Sequence, residues 1–433
     1  MNRLGRRRFL TAIGAGATAL AGCSALPSNG DDEPELDDDA IARAIREREA
    51  PSVPATNPLS VPSSAIEDHR TAARETLERV PPELSVPNGA VTEKLREQRA
   101  RVADALDSSA EGAPVERLAT WRDRRGDAVN VRQAYEAASG DADRGAYRDR
   151  YDEVRAERAA VGADLEYRAP EPVAATVGFA TIESLLDTAR GRLDPRSPFP
   201  EEPAAAVFDV GDRWEAVETA GIETADARRL RDAFVDATDD TPWRSHLVAT
   251  SHHLGHSLQM TRDRVEEYVD AEASVLDADA ATEPPTRHLF RQASDGVHWR
   301  TERAARARDR HDHATTVIEL GRGLVAAETL DRIVAEIESG DYRTELTEET
   351  IQSAHASAVA AVEDAVAATP QPLAVPLATP AIQVVSGLRR RLDASRSRVT
   401  PERLQPRLDY AVRYARVVPT ATAFVADRLA VEA

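Results

Sequence analysis

The chain has 433 residues and a formal net charge of −20, with 42% hydrophobic but only 4% aromatic residues. The hydrophobic fraction is sufficient for a packed core, and the scarcity of aromatic side chains favours closely packed helices built on Ala, Leu and Val. The acidic balance argues against nucleic acid as a partner, because contacts to phosphate need clustered basic side chains.

Arginine supplies nearly all the positive charge, since Lys94 is the only lysine among 55 basic residues. A chain rich in Ala, Asp, Glu and Arg resembles the proteins of extremely salt-loving archaea. At molar salt the Debye length is only about 3 Å, so the repulsion between surface carboxylates is screened. A GC-rich genome would also explain the arginines, but not the excess of acids over bases. We therefore expect a halophilic, archaeal protein.

The first 22 residues resemble a twin-arginine export signal. Arg6 and Arg7 are followed by Phe9 and Leu10, as in the pattern Ser/Thr-Arg-Arg-x-Phe-Leu-Lys, although the residues that flank the match depart from that pattern. The uncharged stretch from 9 to 22 is shorter than the roughly 20 apolar residues of a membrane-spanning helix. Residues 1–22 are therefore expected to be a signal peptide and not a membrane anchor.

The stretch Leu20-Ala21-Gly22-Cys23 resembles the lipobox of exported lipoproteins. Cleavage before Cys23 would leave this residue, the only cysteine in the chain, as a lipidated N-terminus. The resemblance implies attachment to the extracellular face of the cytoplasmic membrane, with an extracellular ligand or a membrane protein as a further partner. The alternative is an apolar N-terminus that contains a cysteine by chance. A lone cysteine also excludes an intramolecular disulfide.

Residues 23–64 have the composition of a tether, first acidic and then rich in proline. A short helix at 36–49 would place Ile41 and Ile45 on one face. From residue 65 onward the apolar spacing is helical almost without interruption. Four prolines between 194 and 203 mark a boundary, so we expect a first helical bundle at 65–193 and a second at 204–433.

The predicted fold class is all-α, an antiparallel multi-helix bundle of about 12 helices in two packed helical units. In the first unit, Pro114 and Pro172 are expected to open helices. In the second unit, helices are predicted near 203–219, 222–237, 242–277, 286–294, 297–339, 347–368, 379–393 and 401–429. The proline-rich stretch from 370 to 380 is predicted to be a loop.

One group of histidines has the spacing of a metal site. His252 and His256 lie one helical turn apart, with His246 and His253 nearby. The spacing is superficially similar to the zincin motif H-E-x-x-H, but His253 stands where that motif has its glutamate. A zinc-dependent hydrolase would therefore lack its general base. The alternative is that these are boundary and surface histidines.

A second group comprises His298, Glu302, Asp309 and His313, which align on one face of the predicted helix 297–339. Carboxylate–imidazole pairs of this kind occur in the metal sites of helical bundles. They also occur as ordinary ion pairs on solvated surfaces, where each contributes a few tenths of a kcal/mol. The density of arginine around this group favours the second interpretation.

The stretch VGFATIESLL, residues 177–186, resembles the imelysin-family segment built on G-x-H-x-x-E. Gly178 and Glu183 fall on the glycine and glutamate of that pattern, and Ala180 replaces its histidine. The resemblance implies an exported, all-helical protein, and several members of that family are linked to iron uptake. The replacement removes the implied metal ligand. The same ten residues also fit an amphipathic helix with Glu183 on its edge.

Motifs for covalent or phosphoryl-transfer chemistry are absent from the sequence, which contains no Gly-rich phosphate loop, no G-x-S-x-G and no Cys–His pairing. We therefore assign no catalytic residue and expect a binding or interaction module without catalysis. No cofactor is predicted for it. The alternative is a metal-binding, imelysin-like uptake lipoprotein that holds a divalent metal, and a metal-dependent hydrolase is the least favoured interpretation.

Overall fold

The structure, a computed structural model, describes residues 41, 43, 45, 48–194, 198–236, 241–270, 284–342, 346–393 and 401–430. Within these ranges it contains twelve α-helices and one short antiparallel pair, β1 (Arg168–Ala169) with β2 (Thr241–Pro242). The helices are α1 (Ser63–Glu78), α2 (Gly89–Asp107), α3 (Pro114–Ser139), α4 (Arg144–Ala163), α5 (Pro172–Arg192), α6 (Val207–Val235), α7 (Arg244–Asp270), α8 (Pro284–Asp309), α9 (His313–Glu338), α10 (Glu348–Val366), α11 (Gln371–Asp393) and α12 (Pro401–Leu429).

The first helical unit is centred on α3 and α6, which pack against each other. Helices α1 and α2 lie against α3, and α4 and α5 lie against α6. Pro114 and Pro172 open α3 and α5 as predicted, because a first-turn amide has no intrahelical partner to lose. The core is mostly Leu, Val and Ala, with Trp121, Tyr147 and Phe199 as its large aromatic members.

The second helical unit is arranged around α9, which packs against α7, α8 and α12. Helices α10, α11 and α12 pack against one another beside it. The main link between the units is α5, since it contacts α6 on one side and α9 on the other. The predicted all-α class, with about twelve helices in two packed units, is confirmed.

Helix α6 runs without the break predicted between 219 and 222. Gly221 lies inside the helix, and a Cβ at this position would stand 2.8 Å from the Arg150 guanidinium and 3.2 Å from Val154. The missing side chain therefore lets α4 approach α6 closely. The glycine marks a packing contact and not a helix end.

The helices predicted at 286–294 and 297–339 are wrong in their bounds. Gly296 lies within α8, where the Tyr410 hydroxyl occupies the space a Cβ would need. The break comes instead after Asp309, where the His311 amide donates to Arg308 O and the Asp312 amide donates to Ala307 O.

These two bonds form a Schellman turn whose C′ residue, His311, has φ 62°. This position is usually glycine, so the sequence carries no ordinary stop signal here.

The loop predicted between 370 and 380 is also wrong, because α11 begins at Gln371 and contains Pro376 and Pro380. A proline inside a helix removes the N–H that would bond the carbonyl four residues earlier. For Pro380 that carbonyl belongs to Pro376, and the Arg322 Nε donates to it at 2.8 Å. An arginine from α9 thus supplies the donor that the second proline lacks.

The predicted tether at 23–64 is corrected over its described part. Ile41 and Ile45 are helical and buried, and Leu59 is also buried. The Ser52 amide donates to Glu363 at 3.1 Å, and the Asn57 side chain donates to Thr181 at 2.9 Å. Residues 51–62 therefore form a strap on the helices, in which Pro51 and Leu59 are buried.

The residues of the two export motifs, Arg6, Arg7, Phe9, Leu10 and Cys23, lie outside the described residues. Among the helices that the structure does describe, none combines the length and the apolar character needed to cross a bilayer.

Candidate functional site

The histidines predicted at the start of α7 have different surroundings. The His246 Nε2 lies 2.9 Å from the Leu429 carbonyl oxygen, so this nitrogen carries the proton and donates it. The ring also meets Trp243 edge-on, with centroids 5.5 Å apart. His246 therefore fastens α7 to the end of α12. His253 is exposed on the same helix.

His252 and His256 line a groove of about 370 Å³ between α7 and the pair α8 and α9. Both side chains are exposed. Arg262 and Arg308 line the same groove, and their charge opposes the entry of a cation.

The second predicted group does not form one face, because the turn at 310–312 separates its members. His298 and Glu302 form an exposed pair at 3.4 Å on α8, which ends at Asp309. His313 starts α9, and its ring packs 5.5 Å from the ring of Tyr167. Burial, followed by the charge of Arg244, lowers the pKa of His313. The predicted four-residue alignment is therefore wrong.

Within the part of the chain that the structure describes, no group of three or more His, Cys, Asp or Glu side chains is placed to hold a metal ion.

Glu183, the glutamate of the imelysin-like stretch, joins α5 to the N-terminus of α9. It is 1% exposed, and its carboxylate accepts hydrogen bonds from the Thr315 amide at 2.6 Å and the Ala314 amide at 3.2 Å. The Tyr167 hydroxyl donates to it at 2.6 Å. The first amides of a helix have no intrahelical acceptor, so a buried carboxylate satisfies them and meets the positive end of the helix dipole.

Burial raises the pKa of Glu183 to about 7, although the hydrogen bonds from Tyr167 and Thr315 oppose the shift. The edge position expected for this residue from the sequence is therefore wrong. Glu183 is an internal contact between the two helical units, and its lone pairs are directed at protein donors.

A second buried carboxylate, Glu319 on α9, is surrounded by three arginines. Its oxygens lie 2.8 Å from Arg322, 3.1 Å from Arg303 and 3.2 Å from Arg300. Burial disfavours the charge, but the arginines outweigh it and hold the pKa of Glu319 below its ordinary value. Arg322 also bonds the Pro376 carbonyl, so this cluster connects α8, α9 and α11.

A third buried network lies inside the first helical unit. The Nε2 of His69 on α1 is 3.0 Å from the Asp226 carboxylate on α6, and Arg125 donates to its Nδ1 at 3.4 Å. These partners assign the ring proton to Nε2. Arg192 bonds Glu223, one turn before Asp226, at 3.1 Å. The acids and bases of this network are thus paired with each other.

An open cavity of about 810 Å³, which we call the junction cavity, lies at the junction between the two units. Its walls come mainly from α5, α9 and α11, with the start of α3 and Arg303 of α8 at its margin, and the strap at 51–62 lines one side. Ala180 lies in the wall, together with Thr181, Ile318 and Val375. The position where the imelysin pattern has a histidine therefore faces a space large enough for a small molecule.

A second cavity, of about 640 Å³, lies between α8, α11 and α12, and we call it the basic cavity. Its lining includes the ionisable residues His288, Arg291, Asp295, Arg300, Arg403, Arg407 and Tyr410. Its apolar lining includes Val384, Leu388, Leu404 and Leu408. Burial, followed by the charges of Arg403, Arg291 and Arg407, lowers the pKa of His288, and Glu402 opposes this shift.

Sequence analysis found Glu183 only through the resemblance, and it missed Tyr167, Glu319 and Asp226. One signal was available for Glu319, which directly follows Val317 and Ile318 on its helix, where a solvated residue is not expected. A charge on the apolar face of a helix needs a buried partner, but the sequence does not identify that partner.

Comparison with protein families divides the chain in two. Residues 64–240 match the family described as Domain of unknown function (DUF8262), and residues 244–427 match the family described as Domain of unknown function (DUF8264). To within two residues, the first match covers α1–α6 and the second covers α7–α12. The predicted boundary at 194–203 lies ahead of α6, which packs against α3, α4 and α5 of the first unit. No curated protein and no solved structure matches the chain.

Proposed function

We propose that the chain is an exported lipoprotein of a halophilic archaeon that acts as a non-catalytic binding module on the outer face of the cytoplasmic membrane. The export route rests on Arg6, Arg7, Phe9 and Leu10, and the anchor rests on Cys23. One structural observation supports the binding role. The junction cavity lies between α5, α9, α11 and the strap, and its lining combines apolar side chains with a few polar ones, as ligand sites do.

The chemistry around the junction cavity favours binding over catalysis. Glu319 at its wall is paired with Arg300, Arg303 and Arg322, and Glu183 next to it is bonded to Tyr167 and to amides of α9. A general base needs a free lone pair within reach of the substrate. Both carboxylates are directed at protein donors, so neither is placed to take a proton from a ligand. The cavity can therefore recognise a ligand by its shape and polarity.

The anchoring proposal is tested by fractionation of cells that express the wild type, Cys23→Ser, or Arg6→Lys with Arg7→Lys. We expect the wild type in the membrane fraction, the cysteine variant released outside the cell, and the arginine variant retained in the cytoplasm. A cysteine variant that stays on the membrane through salt and carbonate washes would contradict the lipid anchor.

A second candidate function is metal uptake, and one observation favours it. His252 and His256 lie one turn apart on α7, and both line the groove beside α8. Two imidazoles do not complete a metal site, so the pair would need further ligands from a partner protein or from a small molecule that carries the metal. Elemental analysis of protein purified without chelator decides between the two functions. If the protein contains stoichiometric zinc, iron or copper and His252→Ala loses it, metal uptake becomes the favoured function.

A further inference from the structure

We propose that the ligand of the junction cavity is an organic acid, which binds through its carboxylate to Arg303 and Arg322 and through an apolar body to the cavity walls. The inference rests on the binding role proposed above and names the class of ligand. It starts from Glu319, a buried carboxylate in the cavity wall. Three arginines surround Glu319, although the whole chain has a net charge of −20.

The charges around Glu319 do not balance. Glu319 carries one negative charge, and the guanidinium groups of Arg300, Arg303 and Arg322 carry three positive charges. Among the described residues, none of these arginines has a second carboxylate within ion-pair distance. The side chains of Arg300 and Arg322 are only 20% and 14% exposed, so water reaches little of their charge. Because buried charges need partners, the cluster favours a further negative charge beside it.

Arg303 and Arg322 line the junction cavity, whereas Arg300 lines the basic cavity. Arg303 Nε and Arg322 Nη1 both donate to Oε1 of Glu319, at 3.1 Å and 2.8 Å. Arg300 donates to Oε2 of the same carboxylate. The two guanidinium groups at Oε1 are therefore neighbours, and Glu319 offsets the charge of only one of them. The positive charge that remains on this side of the cluster matches a single carboxylate.

Both arginines of the junction cavity have N–H groups left for a ligand. Arg303 donates only through Nε, so its terminal nitrogens Nη1 and Nη2 have no acceptor within the described part of the chain. Arg322 donates through Nε to the Pro376 carbonyl and through Nη1 to Glu319, and its Nη2 has no acceptor among the described residues. Guanidinium groups bind carboxylates by directed, charge-assisted hydrogen bonds. A ligand carboxylate can therefore bind here without breaking a contact within the protein.

One other acid, Glu116, belongs to the described lining of the junction cavity. It is exposed at the start of α3, where its carboxylate accepts a hydrogen bond from the Ala113 amide at 2.9 Å. The positive end of the α3 dipole lies at this point and offsets the charge of Glu116. Solvent and salt screen what is left. Glu116 therefore leaves the positive charge beside Glu319 in place.

The remaining lining favours an apolar body on the acid. Ile318 precedes Glu319 on α9, and Val177 and Val375 line the walls formed by α5 and α11. Val53 of the strap lies at the cavity with 39% of its surface exposed. Burial of an alkyl chain against these side chains removes apolar surface from water and favours binding. A small hydrophilic anion lacks this contribution.

The test is calorimetric titration of the full chain with Cys23→Ser, in which no lipid attached to the protein can enter the cavity. The probes are octanoate, 1-octanol, octylammonium and acetate, all at molar KCl. We expect octanoate to bind with a stoichiometry of one and at least about tenfold more tightly than each of the other three. The alcohol and the amine keep the alkyl chain without the carboxylate, and acetate keeps the carboxylate without the chain.

Arg303→Gln should weaken the binding of octanoate by at least about tenfold, because it removes a charge-assisted contact. The matched control is Arg332→Gln. Arg332 pairs with Glu328 at 3.2 Å and is 46% exposed, close to the 3.1 Å and 50% of Arg303, but it does not line the cavity. We expect less than a twofold change in the control. Ala180→Phe, which fills part of the cavity without changing its charge, should also weaken binding.

Octanoate that binds no more tightly than 1-octanol, or that is weakened equally by Arg303→Gln and Arg332→Gln, would overturn the carboxylate as the recognised group. Acetate that binds as tightly as octanoate would overturn the apolar body. If Ala180→Phe still weakens the probes in these cases, the cavity remains a ligand site and the proposed function stands. If no probe binds, or if Ala180→Phe leaves octanoate binding unchanged, the inference is wrong and the binding role of the cavity loses its support. A circular dichroism spectrum of each variant confirms that the helices are retained.

Discussion

The Thr315 backbone amide donates a 2.6 Å hydrogen bond to the Glu183 carboxylate, and this bond joins the two helical units. Glu183 belongs to α5 in the first unit, and Thr315 belongs to the first turn of α9 in the second. The Tyr167 hydroxyl completes the contact. Because the carboxylate is buried, the charge at the start of α9 has little solvent screening, and the contact responds to pH.

We predict that Glu183 makes the protein less stable as the pH rises. Burial raises the pKa of its carboxyl from an ordinary 4.5 to about 7, so the folded chain holds this proton more tightly than the unfolded chain does. The stabilisation is present below pH 4.5 and is lost as the pH rises to about 7. The loss is on the order of 3 kcal/mol in the free energy of unfolding.

The measurement is urea unfolding of the wild type and of Glu183→Gln between pH 5 and pH 8. The difference between the two isolates Glu183 from other carboxyls. We expect the free energy of unfolding of Glu183→Gln to rise relative to that of the wild type as the pH rises. A difference that stays constant across this range would show that the pKa of Glu183 is not raised.

We predict that the contribution of Glu319 to stability has the opposite pH dependence to that of Glu183. The arginines hold its pKa below the ordinary value, so its stabilisation is present above pH 4.5 and is lost as the pH falls through the lowered pKa. Glu319→Gln leaves Arg322 buried without a counter-charge. We expect the substitution to lower the free energy of unfolding by about 3 kcal/mol at pH 7.

A matched control for Glu319 is Glu328→Gln on the same helix. Glu328 pairs with Arg332 at 3.2 Å, but both side chains are nearly half exposed. Exposed pairs of this kind contribute less than about 1 kcal/mol. Similar losses at the two positions would contradict a special role for the buried cluster.

His69→Ala should destabilise the first helical unit. His69 is 3% exposed and bonds Asp226 at 3.0 Å, so its removal leaves a cavity and a buried carboxylate short of a donor. We expect a loss of about 2 to 4 kcal/mol by thermal or chemical unfolding. His298→Ala, at an exposed position, is the control and should change the stability by less than about 0.5 kcal/mol. Equal losses of stability in His69→Ala and His298→Ala would contradict a structural role for the buried contact between His69 and Asp226.

The helical class and the two-unit organisation could be predicted because they depend on local periodicity. The helix ends were harder to predict, because some of them depend on contacts from elsewhere in the chain. Helix α8 ends at a turn in which His311 takes a conformation usual for glycine. Helix α11 continues through Pro380 because Arg322 donates to the Pro376 carbonyl that the proline leaves without a donor. Neither fact is readable from the nearby sequence.

The candidate site was predictable only in part for the same reason. Spacing along one helix predicts that His252 and His256 lie one turn apart, and both side chains line one groove. It could not show that Glu183 meets the start of α9, because that contact joins residues 132 positions apart in sequence. The basic cavity likewise takes its arginines from α8 and α12, whose proximity is set by packing.

Salt should control the stability of the whole chain. Loss of residues 1–22 removes four arginines and no acids, so the net charge would change from −20 to −24. Lower salt lengthens the range of repulsion between these charges. We expect the melting temperature to fall steadily as KCl is reduced from molar to tenth-molar concentration. A flat melting temperature over that range would contradict a halophilic adaptation.

The most direct test of the proposed function is mass spectrometry of the N-terminal peptide from the membrane-bound protein. We expect a peptide that begins at Cys23 and carries a lipid on its sulfur, with residues 1–22 absent. A mature chain that keeps Arg6 and Arg7, or one whose Cys23 is an unmodified thiol, would contradict export and anchoring by this route.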